Sequence, residues 1–239
     1  MNTQSQPGWG GGEWPTLNKF GQAAQHAAVS PQTWAPLLTA GLLQIDDADK
    51  RWSRDLAEDQ PLFGDNAKDV SNSLRDVATG AYVLTALFAE SESYQQKARG
   101  LAVGAGTMVL DGLVNQGLKD AFGRDRPDDS NDQSMPSGHA SKAASRTNMA
   151  IRNLNSMSLQ NWQREGATWL LRGVAAGTGL ARVEAAKHHL SDVLVGYAVG
   201  HFVSTFMYEA FMREQAPGLQ LSFTPIEQGG ALTLTVPLR

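Results

Sequence analysis

The sequence predicts an all-α fold, and three observations carry that expectation. Long stretches at 66–90, 93–122, 158–181 and 187–212 place apolar residues three and four apart. Pro, Gly and Ser punctuate the gaps between them. Period-two alternation is confined to two short C-terminal runs, 219–224 and 232–236.

The elements follow in order. Residues 1–15 are polar and Gly-rich, which reads as a flexible tail with Trp9 and Trp14 able to dock. Two short helices are expected at 16–28 and 31–43, the second with Ser30 as N-cap and Pro31 at its first position. Residues 46–60 are charged and suit a solvated helix closed by Pro61 and Gly64. In 66–90, Val70, Leu74, Val77 and Ala81 mark an apolar face. In 93–122, the face is Leu101, Ala105, Met108, Gly112 and Asn115, with Gly123 as terminator. A helix at 140–153 follows a polar loop, then one at 158–181 with Trp169, Leu170, Val174 and Leu180 as core. The helix at 187–212 is apolar over much of its circumference, as a central helix would be. The two alternating runs, with Gln228, Gly229 and Gly230 between them, predict a short β-hairpin. The expected division is a tail at 1–15, a helical domain at 16–215 and a hairpin appendage at 216–239.

Composition narrows the function. With 239 residues and 41% hydrophobic content, the chain can bury a sizeable core. A net charge of -4 offers no broad basic field for nucleic acid, so an anion site has to be local. The absence of cysteine excludes disulfides and thiolate chemistry. No apolar run approaches the roughly 20 residues of a membrane span, because Asp111, Asn115, Gln116, His201 and Glu209 interrupt the best candidates. These segments read as buried helices of a soluble protein. The N-terminus has no basic and apolar signal-peptide regions.

Three stretches carry chemistry. In the first, Lys119 sits on the last turn of a helix and Arg126 follows in a loop held extended by Pro127. In the second, Ser137, Gly138 and His139 start a helix, where unpaired N–H groups and the dipole favour an anion. In the third, Arg182 precedes His188 and Asp192. If the helix starts at 187, His188 and Asp192 share a face, and the carboxylate can hold one ring nitrogen while the other attacks. Taken singly, each stretch also fits an ordinary capping turn or a solvated helix end. Together they supply three cations, neutral donors and two imidazoles, which is the inventory for phosphoryl transfer through a histidine. His26 and His201 read as structural, and His189 receives no catalytic role.

These residues resemble the three-part signature of the type 2 phosphatidic acid phosphatase (PAP2) superfamily, which also takes in bacterial class A acid phosphatases and vanadium haloperoxidases. Lys119 to Pro127 fits Lys-x6-Arg-Pro, and Pro136 to His139 fits Pro-Ser-Gly-His. Arg182, His188 and Asp192 fit Ser-Arg-x5-His-x3-Asp, except that Ala181 replaces the Ser. The resemblance covers about 115–200, and the loop between Pro127 and Pro136 is short, at eight residues.

The resemblance implies a helical bundle whose three motifs converge at one end. It implies a phosphatase acting on phosphate monoesters or diphosphates, with lipid phosphates such as phosphatidate or undecaprenyl diphosphate among the candidates. By the same resemblance His188 is the nucleophile, Asp192 orients it, and His139 is the acid and then the base. Lys119, Arg126, Ser137, Gly138 and Arg182 bind the phosphate. Neither metal nor cofactor is implied, and vanadate enters as an inhibitor. The competing readings are a vanadium-dependent haloperoxidase, with vanadate as prosthetic group, and a non-catalytic phosphate-binding module. The implied compartment is the periplasm or a membrane surface, with peripheral contact only; a cytoplasmic location stays open.

Overall fold

In the computed structural model the described residues are 15–213, 220–226 and 229–235. Eight α-helices occupy the first of these stretches: α1 (Leu17–Val29), α2 (Pro31–Leu42), α3 (Ala48–Asp59), α4 (Ala67–Phe88), α5 (Tyr94–Phe122), α6 (Gly138–Leu154), α7 (Asn161–Glu184) and α8 (Leu190–Phe211). The all-α expectation holds. Beyond Arg213, backbone segments β1 (Gln220–Ile226) and β2 (Gly229–Thr235) run antiparallel. Residues 227–228, 214–219 and 236–239 lie outside the described residues, as do Trp9, Trp14 and nearly all of the expected tail. The expected hairpin appendage therefore carries nothing in the argument.

α8 is the hub. α6, α2, α1 and α5 pack on it, while α4 and α7 close over α6. The α6–α8 approach depends on two glycines one turn apart. A Cβ on Gly196 would lie 2.4 Å from the Ser137 carbonyl oxygen, and one on Gly200 would lie 2.1 Å from that of Ser141. Only bare backbone fits there. The start of α6 is thereby pressed against the first half of α8, which brings the second and third motifs together.

α8 departs from one expectation. By length and composition it can cross a membrane, with a mean hydropathy of 1.3 over its best window. Of that window, 61% is buried against the other helices, so here it serves as a core helix.

Other expectations shift by a residue or a turn. On α4 the buried face is Ala67, Ser71, Ala78, Tyr82 and Ala86, and Val77 faces outward at 52% exposure. On α5 it is Gly100, Gly104, Thr107, Asp111 and Asn115, with Leu101 and Ala105 outside. On α7, Trp169 and Leu170 are exposed and Leu171, Val174 and Ala175 face the core. Small residues make up much of these inward faces, while several large apolar ones, Val77, Leu101, Trp169 and Leu170 among them, face out. The reverse was expected because large apolar residues usually fill cores.

α3 is exposed over most of its length, as its charges suggested, but it also makes one buried contact. Its Asp49 and Ser53 are buried against the start of α8. Asp49 Oδ1 accepts from the Ser191 amide at 2.8 Å, and Ser53 Oγ accepts from the Leu190 amide at 2.8 Å. They cap α8 from another helix and set a carboxylate at the positive end of its dipole.

Candidate active site

Each motif reaches the site by a local device. Gly123 ends α5 at φ 53, and its amide donates to the Lys119 carbonyl at 3.0 Å. This termination leaves the Lys119 side chain on the last turn. Its Nζ and Arg126 Nη2 both donate to the Gln133 carbonyl, so the first motif folds back on its own loop. Among the described residues Arg126 Nε is buried without a hydrogen-bond partner. Ser137 is fully buried as the N-cap of α6, its Oγ facing the Ala140 amide at 3.5 Å. The Ser137 amide is taken by the Asp192 carbonyl at 2.9 Å. A Cβ on Gly138 would meet Asn115 Oδ1 and Lys119 Cε at 3.9 Å. Gly138 thus lies over Lys119, and ordinary van der Waals contact alone would not demand a glycine there.

The third motif differs from expectation. α7 ends at Glu184 and α8 begins at Leu190, so His188 stands in the connecting turn and not on a helix. The turn passes through Ala186 at φ 52. His188 and Asp192 do not form the hydrogen bond that a shared helix face would give, since Nδ1 lies 4.0 Å from Asp192 Oδ2. Nδ1 donates instead to the Ser134 carbonyl at 2.7 Å. That bond fixes the tautomer and leaves Nε2 with a lone pair.

Asp192 acts one step further back. It is fully buried, and it accepts from Ser134 Oγ at 2.5 Å, from Arg124 Nη1 at 2.7 Å and from the His189 amide at 2.8 Å. Its carboxylate therefore ties together the segment whose carbonyl holds His188 and the turn that carries His188. Arg124 continues this network to Asp49 Oδ2 at 2.8 Å and to Ser191 Oγ at 2.7 Å.

Arg182 is buried near the end of α7, with Nη1 3.5 Å from Ser71 Oγ. Lys187 pairs with Asp128 and pins the loop after Arg126 to the turn before His188.

The electrostatics show how closely these groups converge. Burial and then the neighbouring Arg126 lower the Lys119 pKa to about 8. Burial and Arg126 lower that of Arg182 to about 10. His188 is pushed well below its ordinary value by burial, then by Arg182, Arg126 and Lys119. His139 falls to about 3, through burial and then Arg182, Arg75, Lys142 and Arg126. Cations crowded in a buried space disfavour any further positive charge, and the nearby Asp192 and Asp128 offset them only in part. Both histidines are consequently neutral at pH 7.

His139 is held from α4. Its Nε2 lies 2.9 Å from Asn72 Oδ1 and 3.0 Å from Arg75 Nη1. Neither residue was singled out from the sequence, nor were Ser134, Arg124 and Asp49. Arg124 alone left a trace, as a third cation inside the first motif. The histidines set aside are structural: His201 Nδ1 meets Thr33 Oγ1 at 3.0 Å, and the exposed His26 pairs with Glu209 at 3.5 Å. Among the described residues no group of three or more His, Cys, Asp or Glu side chains is placed to hold a metal ion.

Residues 100–216 match the model of the PAP2 superfamily. Over 104 residues, or 43% of this chain, the sequence is 38% identical to a lipid A 1-phosphatase of Porphyromonas gingivalis. The match spans 22% of that relative's length. Among solved structures, the chain is similar to a transmembrane PAP2-type phosphatidylglycerolphosphate phosphatase from Bacillus subtilis, with a TM-score of 0.56 and 20% identity. That likeness covers 74% of this chain and 92% of the other, and it concerns the fold.

Proposed function

Because this chain belongs to the PAP2 superfamily through residues 100–216, we propose that it is a phosphatase that hydrolyses lipid phosphate monoesters or diphosphates through a phosphohistidine on His188. The observation that carries this reading is the pair of neutral histidines among Lys119, Arg126 and Arg182, with His188 held through Nδ1 by the Ser134 carbonyl at 2.7 Å.

The phosphate settles among the three cations, the Ser137 hydroxyl and the Gly138 amide, which receive the charge of its equatorial oxygens. Its negative charge offsets the cations and lets His139 take up a proton. His188 Nε2 attacks phosphorus while the bond to the leaving oxygen breaks, and that oxygen takes the proton of His139. The Ser134 carbonyl and the nearby Asp192 charge stabilise the phosphorylated imidazole. His139, now neutral, removes a proton from water, whose oxygen attacks phosphorus and breaks the P–N bond. Free His188 and inorganic phosphate result. The three cations supply the charge stabilisation, so the proposed reaction proceeds without a metal ion.

The outward apolar residues favour a lipid over a small hydrophilic ester. Val83, Leu84, Leu87 and Phe88 on α4, Trp162, Trp169 and Leu170 on α7, and Val109 and Leu113 on α5 are all more than 40% exposed. Surfaces of this kind mark contacts with apolar partners, and peripheral attachment to a membrane would bring lipid substrates to the site. The relatives named above act on lipid phosphates by their titles.

The test is hydrolysis of p-nitrophenyl phosphate in excess EDTA, with and without orthovanadate. It is followed by phosphatidate in mixed micelles against glycerol phosphate. Metal-independent, vanadate-inhibited turnover with preference for the lipid is expected. Absence of turnover on all of these would overturn the reading. Vanadate-dependent bromide oxidation by peroxide would assign the same site to a haloperoxidase.

A further inference from the structure

Ser134 stands in the loop between α5 and α6 and is fully buried. All of its polar groups are engaged. Its carbonyl accepts from His188 Nδ1 at 2.7 Å. Its amide donates to the Arg124 carbonyl at 2.9 Å. Its hydroxyl donates to Asp192 Oδ2 at 2.5 Å. The proposed nucleophile thus hangs on one residue, and Arg124 and Asp192 hold that residue.

Those two holders are joined to each other. Arg124 Nη1 donates to Asp192 Oδ1 and to Ser191 Oγ, both at 2.7 Å, and Nη2 donates to Asp49 Oδ2 at 2.8 Å. Lys119 and Arg126, the other cations of the first motif, both turn to the Gln133 carbonyl. Arg124 turns instead to α3 and the start of α8, between two buried carboxylates. Asp192 is also a rival acceptor for the nucleophile. Its Oδ2 lies 4.0 Å from His188 Nδ1, so a shift of about 1 Å would make the direct bond. A carboxylate is the stronger acceptor. The direct bond does not form because both oxygens are drawn elsewhere, Oδ1 by Arg124 and Oδ2 by Ser134 Oγ and the His189 amide.

We propose that Arg124 is a positioning residue for the nucleophile: it anchors Asp192 at Oδ1 and Ser134 through the backbone, so that His188 Nδ1 keeps the Ser134 carbonyl and not the Asp192 carboxylate as its partner. This rests on the phosphatase reading for its use, but not for its test. Either acceptor fixes the same tautomer. A carboxylate would also favour the imidazolium, whose Nε2 carries a proton and cannot attack. Capture by Asp192 would swing the ring as well, and a displacement of about 1 Å at a reacting atom costs about 10²-fold in rate.

The experiment uses the full chain labelled with 15N-histidine. Long-range 1H–15N spectra report the protonation of each ring nitrogen, and His188→Gln identifies the signals. The wild type is expected to show protonated Nδ1 and bare Nε2 on His188 at neutral pH. In Arg124→Gln the Nδ1 proton is expected to move downfield, as its acceptor changes from a carbonyl to a carboxylate. Asp192→Asn removes that carboxylate, so adding Arg124→Gln to it should leave the proton where Asp192→Asn alone puts it. Ser134→Ala cuts only the hydroxyl link and should move the same proton less; it also serves if the glutamine variant does not fold. On p-nitrophenyl phosphate, Arg124→Gln should lower kcat about 10²-fold and leave KM within a few-fold. Arg124→Lys keeps a cation beside the carboxylates and should recover part of that loss.

An Nδ1 proton that holds its position in both Arg124→Gln and Ser134→Ala would overturn the proposal. So would a raised KM at unchanged kcat, which would make Arg124 a phosphate-binding cation, and so would a loss confined to the Tm, which would make it a packing residue. The spectra do not depend on catalysis, so absence of phosphatase activity would strike the functional reading and leave this one to be decided by the Nδ1 proton.

Discussion

The segment 100–216 and the helices before it contribute to the site in different ways. The first supplies every group proposed to bind or attack the phosphate: Lys119, Arg126, Ser137, Gly138, His139, Arg182 and His188. The second supplies groups that hold those in place. Asn72 and Arg75 on α4 meet His139, while Asp49 and Ser53 on α3 cap the start of α8 and fasten Arg124. The difference teaches that the N-terminal helices hold the proposed site in place, although no motif runs through them. Chemistry demands fixed spacings of residues that touch phosphorus. Support demands only that some helix deliver a partner at the right height.

The sharpest way to break this comparison is to remove one group from each side and measure turnover and stability separately. His188→Ala should reduce kcat by on the order of 10⁴-fold or more and leave the Tm nearly unchanged. Next, Arg182→Gln should cost about 10²–10³ in kcat/KM, because a buried cation aimed at the transferred group acts mostly in the transition state. On the supporting side, Asp49→Ala should destabilise the fold by about 3 kcal/mol, since it removes the buried acceptor of the Ser191 amide and hydroxyl and one of the two carboxylates that hold Arg124. Urea denaturation measures that loss, and the surviving folded fraction should keep a KM within a few-fold of wild type.

A smaller effect sharpens the electrostatics. Lys119 sits at about 8 because burial and Arg126 both disfavour its charge. As pH rises through that value the free enzyme loses one of its phosphate-binding cations. Wild-type kcat/KM should therefore decline above about pH 8, and Lys119→Arg should carry activity to higher pH. The smallest effect concerns His201, which bonds Thr33 away from the site. His201→Gln should cost about 1 kcal/mol of stability and leave the pH–rate profile untouched.

The residues explain what was legible in the sequence. Helix number and approximate bounds were readable because Ser93, Gly123, Ser30 and Pro31 punctuate the chain by local rules. The candidate site residues could be picked out because they fall in three stretches of set spacing. Burial was misread on α4 and α7, where Ala78, Ala86 and Ala175 go inward while Val77 and Trp169 face out. Periodicity finds a face, but it does not say which face meets the core when neighbouring helices pack closely on small residues. The partner of His188 was also misread. The spacing to Asp192 suggests a helical pair, but the break at Ala186 delays α8 to Leu190 and hands Nδ1 to a backbone carbonyl 54 residues earlier. Side-chain identity leaves no mark of such a bond. Asn72, Arg75 and Asp49 were invisible for a related reason: they sit on charged helix surfaces, and only the tertiary fold decides what those surfaces touch.

The most direct measurement of the central claim is rapid alkaline quench of the enzyme mixed with phosphoryl-labelled p-nitrophenyl phosphate, followed by peptide mapping. Alkali preserves phosphohistidine. The account predicts label on His188 that accumulates further in His139→Ala and is absent in His188→Ala. Turnover by the wild type with no label on His188 in either active form would contradict it.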